Sequence, residues 1–169
     1  MDIQNYKKNA QGMSLIEILI GCSIIVIGIL ALSTTFTKYV TFALNNERTI
    51  QAAYLAEEGL EAVTFLREKG WTTYIATVST STPRYLAWDS TNLFWKATST
   101  PQYIDGLFLR SFTVTDVRRN NTTEAISTST SGTYYDPKTK SITVDVAYRQ
   151  GIGTTTHTMT TYITNLNDN

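Results

Sequence analysis

The stretch from Gly12 to Leu32, GMSLIEILIGCSIIVIGILAL, constrains this chain more than any other. No formally charged residue occurs in the 19 positions from Ile18 to Phe36. A helix of that length spans roughly 28 Å, close to the thickness of a bilayer's hydrocarbon core. Lys7 and Lys8 precede the run and Lys38 follows it. The positive-inside tendency puts the short leader in the cytoplasm and the rest of the chain outside, with Lys38 weakening the asymmetry. One carboxylate, Glu17, stands near the start of the run, five residues after Gly12. An unpaired charge there costs up to a few kcal/mol, so it marks a function.

Two ordinary explanations compete. A secretory signal also has lysines and then an apolar core, but its cleavage site follows the core and wants small residues. Leu32-Ser33-Thr34 fits that poorly, and a glutamate inside the apolar region works against it. A plain single-pass anchor explains the length of the run but neither Gly12 nor Glu17.

The pattern of Gly12, Leu15, Ile16 and Glu17, behind a short lysine-bearing leader, resembles the prepilin signal of type IV pilins and type II secretion pseudopilins. Where members commonly carry Phe and then Thr after the cut, this chain has Met13 and Ser14. The resemblance implies that a membrane peptidase cleaves between Gly12 and Met13, that Met13 is then N-methylated, and that Glu17 guides subunits into a filament. The assembly step has a physical rationale. A carboxylate and an α-ammonium are each costly in lipid, and both costs fall together if Glu17 of one subunit meets the Met13 amine of its neighbour. Otherwise Glu17 simply reaches the cytoplasmic interface. Gly21 and Gly28 share a helix face, which suits either close helix packing between subunits or ordinary membrane-helix glycine. The absence of proline before Pro83 departs from many major pilins and leans toward a minor pilin or pseudopilin.

Helical periodicity continues past Lys38. Ala52, Leu55, Ala56, Gly59, Val63 and Leu66 form one apolar stripe, with Glu57, Glu61 and Glu68 on the other side. Lys69-Gly70 reads as the helix end. Glu57, Glu58 and Glu61 read as a solvated face, with salt bridges between subunits as a secondary use. The segment YLAEEGLEAVTFLREKGW, Tyr54 to Trp71, resembles the end of the long helix in the minor-pilin group that includes the I-class pseudopilin and the V-class pilus minor pilin.

Beyond Gly70 the chain turns β-rich. Thr77–Thr82 and Thr98–Pro101 read as loops. Trp71, Tyr74, Trp88, Phe94 and Trp95 read as cover for the helix and one sheet face, in preference to a sugar-binding groove. Leu107–Val117, Ser141–Arg149 and Thr154–Thr164 are strand candidates, and Ile142, Val144, Val146 and Tyr148 share one face. Turns are expected at Asp136-Pro137-Lys138 and Gly151-Ile152-Gly153. Thr122–Thr133 is a Ser/Thr-rich insertion between strands, read as a flexible loop, with a glycosylated or partner-contacting surface loop as the alternative. The expected fold is α+β: a long N-terminal helix packed on an antiparallel sheet. The expected organisation is a leader at 1–12, a transmembrane assembly helix at 13–37, its amphipathic continuation at 38–69 and a β-rich head at 70–169.

Composition excludes much chemistry. Lys plus Arg and Asp plus Glu both number 14, and no basic face advertises nucleic-acid binding. Arg118 and Arg119 are the only adjacent arginines. Cys22 is alone, so no intrachain disulfide can form. His157 has no obvious partner for catalysis or metal binding. Asn120 and Asn121 each open an N-x-Thr triplet, and Asn165, Asn167, Asp168 and Asn169 are a weak calcium candidate. The reading is therefore a non-enzymatic structural subunit with no cofactor and no metal. Its alternatives are a filament-tip binding module for adhesion or DNA uptake, or a plain anchored domain. The partners implied by the resemblance are other pilin or pseudopilin subunits, the prepilin peptidase, an inner-membrane assembly platform and membrane lipid.

Overall fold

The structure is a computed structural model, and it describes residues 14–78 and 80–166. Gly12, Met13, Asn167, Asp168 and Asn169 therefore lie outside the described residues. The chain divides into two compact units, 1–44 and 45–169. Helix α1, Leu15–Lys69, contributes its first part to one unit and its last part to the other.

In the first unit the helix leaves Leu15, Ile16, Ile20, Ile24, Ile27 and Leu32 exposed. This run of bare aliphatic side chains suits lipid or neighbouring helices rather than water. By length and composition it is the one helix among the described residues able to cross a membrane.

In the second unit the expected stripe is the buried face of α1. Ala52, Ala56, Gly59, Ala62, Val63 and Leu66 are buried, while Glu57, Glu61 and Glu68 are exposed. The helix ends at Lys69, as the Lys69-Gly70 pair suggested, and a single π-turn follows at Thr72–Ala76. That turn seats Trp71 and Ile75 in the core, with Trp71 only 4% exposed.

All the strands belong to one antiparallel sheet. They are β1 (Arg84–Asp89), β2 (Phe94–Thr98), β3 (Tyr103–Ile104), β4 (Phe108–Asn120), β5 (Ile126–Ser127), β6 (Thr133–Gln150) and β7 (Gly153–Thr164). The order is β2-β1-β4-β6-β7, with β3 and β5 also pairing with β4. The α+β architecture is thus a long helix on an antiparallel sheet, as expected. Phe112, Val114, Ile142, Val144 and Val146 are fully buried beneath the helical stripe. Burial alternates from Phe108 to Thr115 in β4 and from Ile142 to Arg149 in β6, the signature of a sheet covered on one face.

Gly59 is where helix and sheet come closest. A Cβ built there would stand 2.8 Å from Val144 Cγ1 and 3.1 Å from Arg110 Cδ. The hairpin from β6 to β7 turns on Gly151-Ile152, with Gln150 facing Gly153. Gly151 has φ +62°, and a positive φ at the first central residue alone is the type II′ pattern that favours glycine there.

Two local expectations change. Asp136-Pro137-Lys138 is not a turn between strands but a bulge inside β6. Asp116 faces Lys140 and Val117 faces Asp136, so the intervening residues of β6 have no counterpart on β4. The Ser/Thr-rich insertion is not wholly irregular either, because β5 folds back on Arg118 and Arg119.

Candidate functional site

The site is built at the start of α1. Ser14 precedes the helix, and its carbonyl accepts the Glu17 N–H at 2.9 Å and the Ile18 N–H at 3.3 Å. Glu17 therefore lies in the first turn, exposed, where the positive end of the helix dipole favours a carboxylate.

The helix then handles its polar residues internally. Ser23 Oγ donates to the Leu19 carbonyl at 2.8 Å, and Thr34 and Thr35 both donate to Ala31 at 2.9 Å. Thr37 donates to Ser33 at 3.0 Å and Thr41 to Thr37 at 2.9 Å. Each hydroxyl spends its proton on a carbonyl one turn back, which is how such residues are tolerated in hydrocarbon. Sequence periodicity does not reveal these bonds, although Ser and Thr at i−3/i−4 reach of a carbonyl is their signal.

A Cβ at Gly21 or at Gly28 would meet nothing within 4 Å. Among the described residues no contact requires either glycine. Cys22 is exposed on the same helix.

The remaining candidates have structural uses in the head. Glu58, read as part of a solvated face, accepts from Arg110 Nη1 at 2.7 Å, and the same nitrogen bonds the Leu55 carbonyl at 3.1 Å. Arg110 also lies over the Trp95 ring at 5.1 Å. Trp88 and Trp95 meet edge-to-face with centroids 5.5 Å apart, and Lys69 Nζ sits 3.5 Å over Phe94. Together with Glu58, Glu61, Ala62, Phe65 and Leu93, the two tryptophans line an open groove of about 380 Å³.

Arg118 donates to Thr133 Oγ1 at 2.8 Å and lies 4.1 Å over Tyr135. Arg119 donates to Asp136 at 2.6 Å, to the Glu124 carbonyl at 2.9 Å and to Thr139 at 3.2 Å. Both guanidiniums are engaged in holding the Thr122–Thr133 insertion to β4 and β6. The Asp136 bond raises the Arg119 pKa. Burial pushes the Asp136 carboxyl up, but hydrogen bonds from Arg119, Thr139 and the Lys138 N–H outweigh it and the net direction is down. Asn120 Oδ1 accepts the N–H groups of Thr122 and Thr123 at 2.8 and 3.0 Å, so its side chain shapes that loop. His157 sits on β7 opposite Val146. Among the described residues no group of three or more His, Cys, Asp or Glu could hold a metal.

With this geometry in view, a family model described as "Prokaryotic N-terminal methylation motif" matches residues 7–33. No curated protein and no solved structure matches the chain. The matched segment holds Gly12, Met13 and Glu17 and runs through the exposed apolar part of α1, which together mark a membrane anchor. The chain thus carries a type IV pilin-like N-terminal methylation signal ahead of a pilin-like α+β head, and it fits the pilin and pseudopilin family.

Proposed function

We propose that the protein is a minor structural subunit of a type IV pilus or type II secretion-like filament. A prepilin peptidase removes residues 1–12 and Met13 becomes N-methylated. The subunit waits in the cytoplasmic membrane with its head outside, and then joins the filament through its N-terminal helix. The observation that carries this reading is the methylation motif at residues 7–33, joined to a first stretch of α1 whose large apolar side chains, from Leu15 to Leu32, are exposed among the described residues.

Glu17 is the assembly residue in this reading. It is exposed in the first helical turn, and pairing with the Met13 amine of a neighbour removes two unpaired charges from lipid at once. Gly21 and Gly28 supply close approach between helices. The unbroken helix before Pro83 and the Tyr54–Trp71 segment support the minor-subunit assignment, in the group with the I-class pseudopilin and the V-class minor pilin.

The test is intact-mass and N-terminal analysis of the protein from membranes and from sheared filaments. The expected product begins at N-methylated Met13 and is a small fraction of the sheared material. A chain retaining residues 1–12 in cells with active prepilin peptidase would overturn the reading. Glu17→Ala should still be cleaved but fall in the sheared fraction by roughly one to two orders of magnitude, the worth of a few kcal/mol for an intramembrane charge.

A further inference from the structure

The sheet has two unlike edges. On one side β2 is 5 residues long and carries Lys96 at its centre, and β3 and β5 are only 2 residues each. Short, charged strands of this kind blunt an edge against further pairing. On the other side β7 is 12 residues long, GTTTHTMTTYIT, with no proline and no Asp, Glu, Lys or Arg. Among the described residues it is the only strand of more than 2 residues without a formally charged side chain. Its pairing with β6 runs unbroken from Gly153 to Thr164, with no bulge to twist the edge away. Among the described residues none of the usual edge protections appears on this side.

The register shows which groups this edge offers. The Asn165 N–H donates to the Lys138 carbonyl at 2.8 Å. In an antiparallel ladder, bonded and non-bonded pairs alternate. The odd-numbered residues of β7 therefore bond β6, and the N–H and C=O of Thr154, Thr156, Thr158, Thr160 and Tyr162 point outward. Among the described residues no backbone group bonds them, because β7 ends the sheet. The side chains of these same residues are exposed.

We infer that β7 is a pairing surface for the β7 strand of a second copy of this chain. An antiparallel pair of identical strands is related by a two-fold axis. Centred on Thr158, the outward groups bond reciprocally, with Thr158 facing Thr158, Thr156 facing Thr160 and Thr154 facing Tyr162. Each of these bonded pairs is Thr–Thr or aromatic–β-branched, both favourable across strands; between them lie the non-bonded pairs His157–Met159 and Thr155–Thr161, and no formally like charges meet. A strand bearing even one charge near its centre would oppose its own copy there, and this strand has none. The two sheets become continuous across the dyad. The contact does not involve the N-terminal helix, so it stands or falls separately from the proposed filament assembly.

The test uses the full chain in mild detergent. Light scattering corrected for detergent gives the protein mass across a concentration series, and amide hydrogen exchange reads the edge directly. The expected result is a dimer in which the Thr154, Thr156, Thr158, Thr160 and Tyr162 amides exchange slowly. Thr158→Lys, which places like charges on the dyad, should return the monomer with fast exchange at those amides. Thr156→Pro should do the same, since it deletes an outward N–H that β6 does not use. In a Cys22→Ser background, Thr158→Cys should oxidise to a disulfide-linked dimer, and Thr113→Cys on central strand β4 should not. A monomer with fast-exchanging edge amides at all concentrations overturns the inference. So does a dimer that survives both Thr158→Lys and Thr156→Pro.

Discussion

Arg110 Nη1 lies 2.7 Å from Glu58 Oε2 and joins the beginning of strand β4 to helix α1. The two ends are unequal: the Arg110 side chain is 3% exposed and that of Glu58 46%. The guanidinium is thus a buried charge whose counterion stands at the surface. Arg110 Nε is buried with no hydrogen-bond partner, so the arginine is not fully compensated.

Removing the carboxylate should therefore cost more than removing the whole pair. Glu58→Ala leaves the buried guanidinium without its counterion and should cost about 1–3 kcal/mol. Replacing the arginine with an apolar residue of similar length, Arg110→Met, should change stability by less than about 1 kcal/mol, because buried ion pairs often only balance their desolvation. In the double variant the Glu58→Ala penalty should disappear. Urea unfolding of the full chain in detergent, followed by tryptophan fluorescence, measures each value. Equal costs for Glu58→Ala in the wild-type and Arg110→Met backgrounds would contradict this account.

Gly59 should resist substitution by alanine despite its place inside a helix. Helix propensity favours alanine over glycine by about 1 kcal/mol. The added Cβ, however, would stand 2.8 Å from Val144 Cγ1, closer than packed carbons tolerate. The net effect of Gly59→Ala should be destabilisation of about 1–3 kcal/mol, the range for overpacked cores. Val144→Ala in the same chain removes the clashing methyl groups and should recover part of that loss. The same unfolding measurement decides it, and a Gly59→Ala chain more stable than the wild type would show that the sheet gives way.

What the sequence disclosed follows the range of the interactions involved. The Ala52-to-Leu66 stripe and the alternation from Ile142 to Tyr148 are local periodicities, and both faces are buried as read. The two strands β1 and β2 went unread because the segment between Thr77 and Pro101 mixes aromatics with Ser and Thr and has no clean period of two. Asp136-Pro137-Lys138 has turn chemistry, but pairing of Thr133–Asp136 with Val117–Asn120 carries the strand through it as a bulge. Glu58 was placed on a solvated face since its partner is 52 residues away, a separation no local pattern reports. At the candidate site, Gly12, Met13 and Glu17 are read only as a motif, and of the three only Glu17 lies among the described residues.

The acid limb of stability should carry a contribution from Asp89. This carboxylate closes the β1–β2 loop, accepting the N–H groups of Asn92 and Thr91 at 3.1 and 3.0 Å. Those bonds, led by the Asn92 N–H, hold its pKa at about 2 against an ordinary 3.8. A depressed folded-state pKa adds stability that is fully present above the unfolded value and lost as pH falls through the folded one. The contribution should therefore be complete above pH 3.8 and gone below about 2. Asp89→Asn keeps an acceptor for the loop amides but cannot titrate, so its stability should be lower at neutral pH and should converge with the wild type at the acid end. Unfolding midpoints measured from pH 7 down to 2 test this, and an unchanged gap between the two proteins across that range would count against it.

Gly28 and Gly21 should separate assembly from folding. Among the described residues neither would place a new Cβ within 4 Å of any group beyond its own stretch of helix, so a larger side chain has room there. Gly28→Leu should leave the head's unfolding midpoint unchanged and should raise the helix's own propensity by up to about 1 kcal/mol. Where neighbouring helices pack closely through small residues, the same leucine holds the backbones apart. The variant should therefore reach the membrane and be processed normally, yet decline in the sheared filament fraction relative to the wild type. Gly21→Leu should act in the same direction, since the two positions are seven residues apart and lie on one face. Quantitative immunoblotting of membrane and sheared fractions reads the outcome. Full recovery of both variants in filaments would mean that these glycines face lipid and that subunit contact lies on another side of α1.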